Sequence, residues 1–420
     1  MQRWQARVMV EEISTQVCIA GGGPAGMMLG LLLGRAGIDV VVLEKHADFF
    51  RDFRGDTVHP STMNLIDQLG IRDAFERIPH ARLPRLDAVV DGIRLHAIDF
   101  RSLPKPNREV TLMPQWDLLD LLAEEARRSP SFRLVMDADV TGVTWTGQRV
   151  TGVMAQTTDG ELRVRADLTV AADGRDSTVR RALDLGIDQF GVPIDLTWFR
   201  LDRPVDPVPD TLGYLRDGSV LITIPRPEYL QCGLLIPKDG FSDVKAAGMG
   251  AFRDRIRRVA PRLGSVVDGL QSWDQVKLLS VQIDRVQRWS RGGALCIGDA
   301  AHAMSPVFGV GINYAVQDAV AAANILVPVL RESGVGPAAI DRALVRVERR
   351  RRMPTMLMQR AQMAVHAVIG RGVAVTILHN PPTRRERAVI RLVLPIVRPV
   401  IARLVGYGFR PERIDADVLG

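Results

Sequence analysis

The amino-acid sequence predicts an α/β fold, and three observations along the chain carry that prediction. An apolar run, Val17 to Ala20, leads into a glycine-rich turn and a helix-like stretch that stops at Gly37. A second apolar run, DVVVLE, follows and ends on the acid Glu44. Further along, the strand-like run GALCIGD again leads into a turn with two glycines and a helix-like stretch. Strands that alternate with helices in this way favour a sheet covered by helices over an all-β fold.

The composition limits the classes of protein to consider. The chain has 420 residues, 46% of them hydrophobic, which is enough for two packed domains. The formal net charge is +7, but no nucleic-acid-binding motif accompanies it, so we expect no nucleic-acid partner. The three cysteines, Cys18, Cys232 and Cys296, have no metal-ligand spacing, and no signal peptide is recognisable. We therefore expect a cytoplasmic protein without a metal centre.

The first glycine-rich turn has the pattern of a dinucleotide site. In G-x-G-x-x-G, Gly21 permits the tight turn, Gly23 the approach of a pyrophosphate, and Gly26 close packing of helix and strand. The N-terminus of the following helix offers free N–H groups to the phosphates. Glu44 follows about 20 residues later, where a carboxylate accepts hydrogen bonds from ribose hydroxyls. The full stretch GGGPAG is more typical of FAD than of NAD sites.

Two further motifs follow in order. VAADGRDSTVRRALDL contains D-G-x-x-S-x-x-R, carried by Asp173, Gly174, Ser177 and Arg180. CIGDAAHAMSPVFGVGINYAVQDA contains G-D-A-A-H, a proline and G-x-G-x-N. With the glycine turn and with RGDTVHPSTMNLIDQLG after the second strand, these motifs resemble the single-component FAD-dependent aromatic hydroxylases, the para-hydroxybenzoate hydroxylase-like flavoprotein monooxygenases. The resemblance extends over residues 17–330.

The resemblance implies a particular domain organisation. It predicts a discontinuous, Rossmann-like FAD-binding domain, an inserted β-sheet substrate domain and a helical C-terminal tail. The FAD-binding domain would comprise 14–80, 108–185 and 278–345, the substrate domain 81–107 and 186–277, and the tail 346–420. The sequence agrees locally, because 210–237 has the pattern of strands joined by turns and 86–100 that of further strands of the same sheet.

The resemblance also assigns roles to individual residues. Asp299 would meet the ribityl chain of FAD, although its position also suits a helix N-cap. Pro306 would lie beside the flavin where oxygen adds, and Arg54 would reach FAD after the second strand; these two are the predicted catalytic residues. For Asp173 and Arg180, cofactor contact and local structural pairing are both open. The predicted cofactor-binding residues are Gly21, Gly23, Pro24, Ala25, Gly26, Glu44, Lys45, Arg54, Gln115, Val140, Asp173, Asp299, Pro306, Gly309, Gly311, Ile312 and Asn313.

The chemistry that the resemblance implies is an ordered oxygenation. NADPH or NADH would reduce FAD, oxygen would add at flavin C4a to give a hydroperoxide, and one oxygen atom would pass to a hydrophobic aromatic or polycyclic small molecule. No second G-x-G-x-x-G with its acid occurs, so we expect NAD(P)H to bind only transiently. Two alternatives stay open on this scaffold: a cyclase-type enzyme without redox chemistry, and an isoprenoid-type reductase. A flavin halogenase is disfavoured because W-x-W-x-I-P is absent from the sequence.

The C-terminal stretch 384–414 is basic and apolar. Two prolines inside it, Pro395 and Pro399, are expected to kink or break a helix. We expect this tail to pack on the body of the protein, and the alternatives are contact with a membrane surface and coverage of an apolar substrate pocket. No oligomeric state follows from the sequence.

Overall fold

The computed structural model describes residues 11–50, 57–90, 92–205, 211–226, 228–370 and 383–419. Arg54, one of the two predicted catalytic residues, lies outside these ranges. The strands are β1 (Glu11–Ala20), β2 (Val40–Leu43), β3 (Thr57–Val58), β4 (Ala81–Leu83), β5 (Arg85–Val90), β6 (Ile93–Asp99), β7 (Val110–Leu112), β8 (Phe132–Val135), β9 (Asp139–Thr146), β10 (Arg149–Thr157), β11 (Gly160–Ala171), β12 (Ile187–Phe190), β13 (Ile194–Asp202), β14 (Thr211–Arg216), β15 (Ser219–Pro225), β16 (Tyr229–Pro237), β17 (Lys277–Leu279), β18 (Ile283–Val286), β19 (Ser290–Arg291) and β20 (Ala294–Cys296).

Helices alternate with these strands in the first third of the chain and dominate its C-terminal quarter. They are α1 (Pro24–Arg35), α2 (Pro60–Gln68), α3 (Arg72–Glu76), α4 (Gln115–Ala126), α5 (Thr178–Ala182), α6 (Phe241–Ala246), α7 (Gly248–Val259), α8 (Gly311–Leu330), α9 (Pro337–Gly370), α10 (Arg384–Tyr407) and α11 (Ala416–Leu419). The predicted α/β class is therefore confirmed.

The first sheet positions the site. Its strands follow the order β19-β20-β11-β1-β2-β8, and β20, β11, β1, β2 and β8 run parallel to one another. Helix α1 packs on this sheet and against α4 and α8. Since parallel strands end at one edge of a sheet, the residues that follow β1, β2, β11 and β20 lie along that edge, where ligands gather in α/β proteins. They include Gly21, Glu44, Asp173 and Asp299.

The second sheet combines two distant parts of the chain. Its order is β17-β13-β16-β15-β14-β5-β6, and β14 pairs in parallel with β5 through Tyr214 and Val89. The expectation that 86–100 and 210–237 share one sheet is therefore confirmed. One face packs on α7 through Phe199 and Leu234, and the opposite face carries Trp198 and Leu235. Successive side chains of a strand point to opposite faces, which explains this division.

Helix α8 is mostly apolar, which suits its position inside the protein. Among the described residues, one helix, Val307–Leu330, is long and apolar enough to cross a membrane, but 83% of its most apolar window is buried. It packs between α1 and α9. A helix that is hydrophobic all round is expected in such a core position.

The C-terminal region corrects one expectation and leaves another open. Helix α10 continues through Pro395 and Pro399, so these prolines do not break the helix, and the expected kink stays a prediction. Ala402 and Val405 of α10 are buried in the cluster that includes the second sheet, and this packing offsets the backbone hydrogen bonds that the prolines forfeit. The domain borders stay predictions, and the border expected at 345/346 falls inside α9.

Candidate functional site

The first glycine turn is shaped by steric contacts within the protein itself. Gly21 has φ +100°, and a Cβ there would overlap the carbonyl of Ala172. A Cβ on Gly26 would overlap the carbonyl oxygen of Gly21. At Gly23, in contrast, a Cβ would meet nothing within 4 Å, so the space above this residue is open. The turn therefore leaves room for a ligand at the N-terminus of α1, where Pro24 is the first helical residue.

Glu44 is tied to this turn. One carboxylate oxygen accepts a hydrogen bond from the Gly22 N–H at 2.9 Å, and the other accepts one from the His46 N–H at 3.3 Å. The neighbouring Lys45 is exposed. The Glu44 carbonyl accepts a hydrogen bond from the Ala138 N–H at 2.9 Å, which brings the start of β9, and with it the predicted Val140, close to the end of β2.

Asp173 follows β11 and has one free carboxylate oxygen. Its Oδ2 accepts hydrogen bonds from the backbone N–H groups of Thr178 at 2.8 Å and Val179 at 3.3 Å, at the start of α5. Its buried Oδ1 has no hydrogen-bond partner within the described part of the chain. Burial raises the pKa of the Asp173 carboxyl, against hydrogen bonds from Ser177 and the backbone that lower it. Asp173 thus both supports local structure and offers an oxygen to a ligand.

Arg180 serves local structure. Its guanidinium donates to the carbonyl of Ala300 at 3.0 Å and to the carbonyl of Arg175. The side chain is buried, and its partners are backbone carbonyls rather than the acid that a salt bridge would need. Arg180 therefore fastens the D-G turn to the turn that carries Asp299.

Asp299 lies inside the short turn Gly298–Ala300 after β20, and the N-cap of that turn is Ile297. Asp299 therefore does not act as the helix N-cap that its position in the sequence also suited. The Asp299 carboxylate accepts a hydrogen bond from Nε of Arg175 at 3.3 Å and is about one-third exposed. A Cβ on Gly298 would lie 3.0 Å from Cβ of Ala25, which places this turn directly against the start of α1.

The second glycine turn carries an uncommon backbone conformation. Pro306 precedes the short helical turn Val307–Gly309, in which Phe308 has φ +70° and ψ −5°. Gly309 has φ +62°, and a Cβ there would lie 2.9 Å from Oγ1 of Thr57. Helix α8 begins at Gly311, where a Cβ would meet nothing within 4 Å. The start of α8, like the start of α1, therefore has open space beside its glycine.

The first turn of α8 is held by side chains of α2. Oδ1 of the buried Asn313 accepts hydrogen bonds from the hydroxyls of Ser61 at 2.6 Å and Thr62 at 2.9 Å. Its Nδ2 is buried and has no hydrogen-bond partner in the described ranges. Its neighbour Ile312 is also buried. Asn313 therefore keeps a donor available at the N-terminus of the helix.

His59 supports the same turn. Its Nε2 lies 2.9 Å from the carbonyl oxygen of Gly309, and the side chain is fully buried. Burial lowers the pKa of His59 to about 4, against hydrogen bonds to the Gly309 and Val405 backbones that raise it. His59 is therefore neutral near pH 7, and its Nε2–H donates to the carbonyl.

His302 belongs to a buried charge network. Its Nε2 lies 2.5 Å from Oδ2 of Asp318, and Oδ1 of Asp318 accepts a hydrogen bond from Nε of Arg351 at 2.9 Å. Arg351 also pairs with Glu412 at 3.3 Å. Burial alone would raise the pKa of Asp318, but His302 and Arg351 lower it below its usual value. The network fastens the G-D-A-A-H turn to α8, α9 and the C-terminal segment.

Two predicted cofactor residues lie on other elements. Gln115 begins α4 and is half-buried, and the next residue, Trp116, packs against Phe50 with ring centroids 4.8 Å apart. Val140 is buried in β9, opposite Ala155. Within the described residues, no group of three or more acids, histidines and cysteines could hold a metal ion.

The residues present fit FAD. Open space lies above Gly23 and Gly311, at the N-termini of α1 and α8, and the turn after β20 lies against α8 through Gly298 and Ala315. Two buried polar atoms, Asp173 Oδ1 after β11 and Asn313 Nδ2 in the first turn of α8, have no partner in the described part of the protein. Such atoms are costly to bury unless a ligand or water satisfies them.

Comparisons with known proteins agree with this site. Residues 14–361 match the family model described as FAD binding domain. The chain is 33% identical over 416 residues to the 6-methylpretetramide 4-monooxygenase of Streptomyces rimosus, covering 96% of this chain and 95% of that protein. It is 30% identical over 328 residues to the dialkyldecalin synthase of Streptomyces rugosporus, covering 73% of this chain and 64% of that protein.

Solved structures share the fold. PqsL of P. aeruginosa, in complex with 2-aminobenzoylacetate, matches with a TM-score of 0.73 at 22% identity, over 85% of this chain and 97% of that chain. From the glycine turns, the strand-end acids and these matches together, we conclude that the chain belongs to the FAD binding domain family and is a FAD-dependent monooxygenase.

Proposed function

We propose that this monooxygenase uses NADPH or NADH and molecular oxygen to oxygenate a hydrophobic polycyclic aromatic small molecule of secondary metabolism. One observation carries the proposal: Phe308 of the Val307–Gly309 turn packs against the hydrophobic cluster to which the apolar face of the second sheet belongs. A flat apolar substrate held there would lie next to the turn that the family places beside the flavin. The relative named for 6-methylpretetramide, which matches nearly the whole chain, supports a fused-ring substrate.

The two glycine turns would hold opposite parts of FAD. The first turn, with the N-terminus of α1, suits the pyrophosphate, and Glu44 suits the adenosine ribose. Asp173 and Asp299, at the ends of β11 and β20, suit the pyrophosphate side and the ribityl chain. FAD, when bound, supplies the transfer of electrons from the nicotinamide to oxygen.

The N-terminus of α8 would stabilise charge on the flavin ring. Gly311 leaves the space needed for close approach, and Asn313 offers an N–H donor there. A helix N-terminus favours negative charge by about 0.3–1 kcal/mol, and by up to about 2 kcal/mol when partly buried. The helix N-terminus would therefore stabilise the negative charge of the reduced flavin only modestly, and the main contribution of the protein to the reaction would be to position the flavin and the substrate.

The substrate would rest on the face of the second sheet opposite α7. Buried side chains of this face include Trp198, Ile224 and Leu235, and the partly exposed Phe190 and Ile222 pack beside them. This face would exclude water from the reacting groups. The buried indole N–H of Trp198 has no hydrogen-bond partner among residues that the structure describes, so it suits an oxygen substituent of the substrate. Phe199 and Tyr214 lie instead in the core on the α7 side.

The test is an anaerobic mixture of FAD-loaded protein with NADH or NADPH, with and without a panel of polycyclic aromatic compounds. We expect the flavin absorbance to bleach faster when the correct compound is present. Admitting ¹⁸O₂ should then place one labelled oxygen atom in the product.

Two results would contradict the proposal. A flavin that dithionite reduces but neither nicotinamide does would favour the cyclase-type alternative, for which the match to a dialkyldecalin synthase is the supporting observation. Reduction followed by a reduced product without added oxygen would favour the isoprenoid-type reductase.

The C-terminal tail gives a separate prediction about partners. Leu392, Ile396 and Val400, spaced four residues apart on α10, are exposed, whereas Ala402 is buried. Contact of this tail with a membrane surface stays the alternative to packing on the body, and sedimentation with anionic lipid vesicles would test it. The cytoplasmic location stays a prediction.

A further inference from the structure

Side chains of α9 hold the backbone that leads into the second glycine turn. Nε2 of Gln359 donates to the carbonyls of Asp284 at 2.7 Å and Ala303 at 3.0 Å. Nε2 of Gln362 donates to the carbonyls of Ser305 and Val307, each at 2.9 Å.

Gln362 also binds the backbone N–H of Ser305, in addition to its carbonyl. Its Oε1 accepts a hydrogen bond from the Ser305 N–H at 3.2 Å. Oγ of Ser305 lies 2.7 Å from Nε2 of His366 and accepts a hydrogen bond from the Val307 N–H at 3.1 Å. Gln362 therefore makes three hydrogen bonds to two alternate residues of one short segment.

These α9 side chains are completely enclosed. Gln359 and Gln362 are 0% exposed and His366 is 2% exposed. Their spacing of three and then four residues puts them on one face of the helix. All three lie on α9, more than 45 residues after Gly311, so the supporting side chains come from outside the glycine motifs.

The segment that they hold contains a strained residue. Phe308 has φ +70°, in the left-handed region that a bulky side chain rarely adopts. The carbonyl of Val307 on one side is bound by Gln362, and the carbonyl of Gly309 on the other side is bound by His59 at 2.9 Å. Such a conformation persists only where its surroundings over-determine it. The hydrogen bonds to the carbonyls of Val307 and Gly309 hold the backbone on both sides of Phe308 and so maintain its conformation.

The conformation of Phe308 decides which surfaces its ring joins. The ring packs against the cluster that contains the apolar face of the second sheet and also against the cluster of Met304, Tyr314 and Met358. If the turn relaxed, the ring and Pro306 would both move relative to the first sheet and to the start of α8.

On the basis of the proposed function, we propose that Gln362 is a positioning residue of this enzyme. Supported by Gln359 and His366, it holds the 303–309 segment so that Pro306 and the N-terminus of α8 face the flavin ring and Phe308 faces the substrate. Gln362 touches neither cofactor nor substrate in this role and acts through the backbone of Ser305 and Val307.

The test compares Gln362→Leu with a matched control. Gln16 bridges two backbone groups in the same way, donating to the Leu330 carbonyl and accepting from the Asp39 N–H, each at 3.1 Å, but it lies in the middle of β1, away from both glycine turns. For each apoprotein, the dissociation constant of FAD, the visible spectrum of the bound flavin and its midpoint potential are measured. We expect Gln362→Leu to weaken FAD binding about tenfold and to shift the spectrum and the potential, because three backbone groups lose their partner. Gln16→Leu should change none of the three.

A double variant tests whether Gln362 acts by maintaining the strained conformation of Phe308. Glycine adopts a positive φ without strain, so Phe308→Gly should reduce the effect of Gln362→Leu on FAD binding. If Gln362→Leu does not fold, Gln362→Glu keeps the size and the acceptor for Ser305 N–H but loses both donated bonds, and we expect the same spectral shift.

The outcomes separate this proposal from the proposed function. If the variants bind FAD with the wild-type affinity, spectrum and potential, the positioning role of Gln362 is wrong while the monooxygenase function stands. If the wild-type protein takes up FAD but no nicotinamide reduces it, the proposed function fails, and a changed spectrum in Gln362→Leu would still support the positioning role.

Discussion

The two glycine turns of this protein are stabilised in different ways. In the first, Gly21 and Gly26 are required by contacts with the backbone of the same strand–helix unit and of the adjoining β11 end. In the second, the backbone around Phe308 is held by Gln362 of α9 and by His59, and α2 side chains hold Asn313 of the helix that follows. The first turn is thus mainly a local structure, and the second is assembled from distant parts of the chain.

This difference suggests a division of labour. A pyrophosphate is the same in every FAD, so a turn fixed by its own backbone is sufficient to bind it. The flavin ring must be aligned with a substrate, and a turn held by other elements can be adjusted through them without altering the glycine motif. We therefore expect mutations at the first turn to act on folding and FAD binding, and mutations around the second to act through tertiary contacts.

The largest effect is expected from Asp318→Ala, which tests how far the second region depends on remote contacts. The change leaves Arg351 and His302 buried without their shared carboxylate, and breaking such a buried pair costs about 3–5 kcal/mol. Urea unfolding of the apoprotein measures the free energy. The control is Asp254→Ala, whose partner Arg257 is at the surface, with an expected loss below about 1 kcal/mol. Equal losses in the two variants would contradict the network.

The next effect is expected at the first turn, from the pair Gly26→Ala and Gly23→Ala. A Cβ at Gly26 would overlap the Gly21 carbonyl, so we expect a loss of about 3 kcal/mol in stability. A Cβ at Gly23 meets no protein atom, so that variant should keep its melting temperature and lose FAD affinity instead. Thermal unfolding and FAD titration check both. Normal FAD binding by a well-folded Gly23→Ala protein would show that no pyrophosphate lies there.

A smaller effect is expected from pH, through His59. Its pKa is about 6.5 in the unfolded chain and about 4 in the folded protein, so between these values the unfolded chain binds more protons. Stability therefore rises with pH from about 4 to 6.5 and falls as the solution is acidified, with a loss of roughly 2 kcal/mol at pH 5 relative to pH 7.5. His59→Gln keeps a donor for Gly309 and removes the titration, so its unfolding free energy should fall less over this range. Identical pH profiles for wild type and variant would refute the assignment.

The smallest effect is expected from Glu44→Ala. Loss of the carboxylate should weaken FAD binding about tenfold, or about 1.4 kcal/mol, because the ribose hydroxyls lose an acceptor. The Gly22 N–H loses its partner as well, so a melting curve should accompany the FAD titration. Glu161→Ala, at an exposed position, is the control. An unchanged FAD dissociation constant would remove Glu44 from the cofactor site.

Much of the site could be predicted because its residues are consecutive. The strand, glycine turn, helix and acid from β1 to Glu44 lie within one stretch, so their local propensities specify their mutual positions. The positions of Asp173 and Asp299 at the sheet edge were predictable because each comes within three residues of the end of a parallel strand, whereas their contacts with FAD stay predictions. The roles of Gln359, Gln362 and His366 were not predictable, because glutamine and histidine within a helix give no signal of the distant carbonyl that each will bind.

The sequence by itself determined the α/β class, the FAD-type glycine turn and the strand-end acids, because strand, turn and helix signals act over a few residues. The tertiary structure decided the rest. It placed His59 and α9 around the second turn, gave Phe308 its left-handed conformation, and kept α10 helical through Pro395 and Pro399. These features depend on contacts between residues far apart in the chain, whose packing energy overrides local preference.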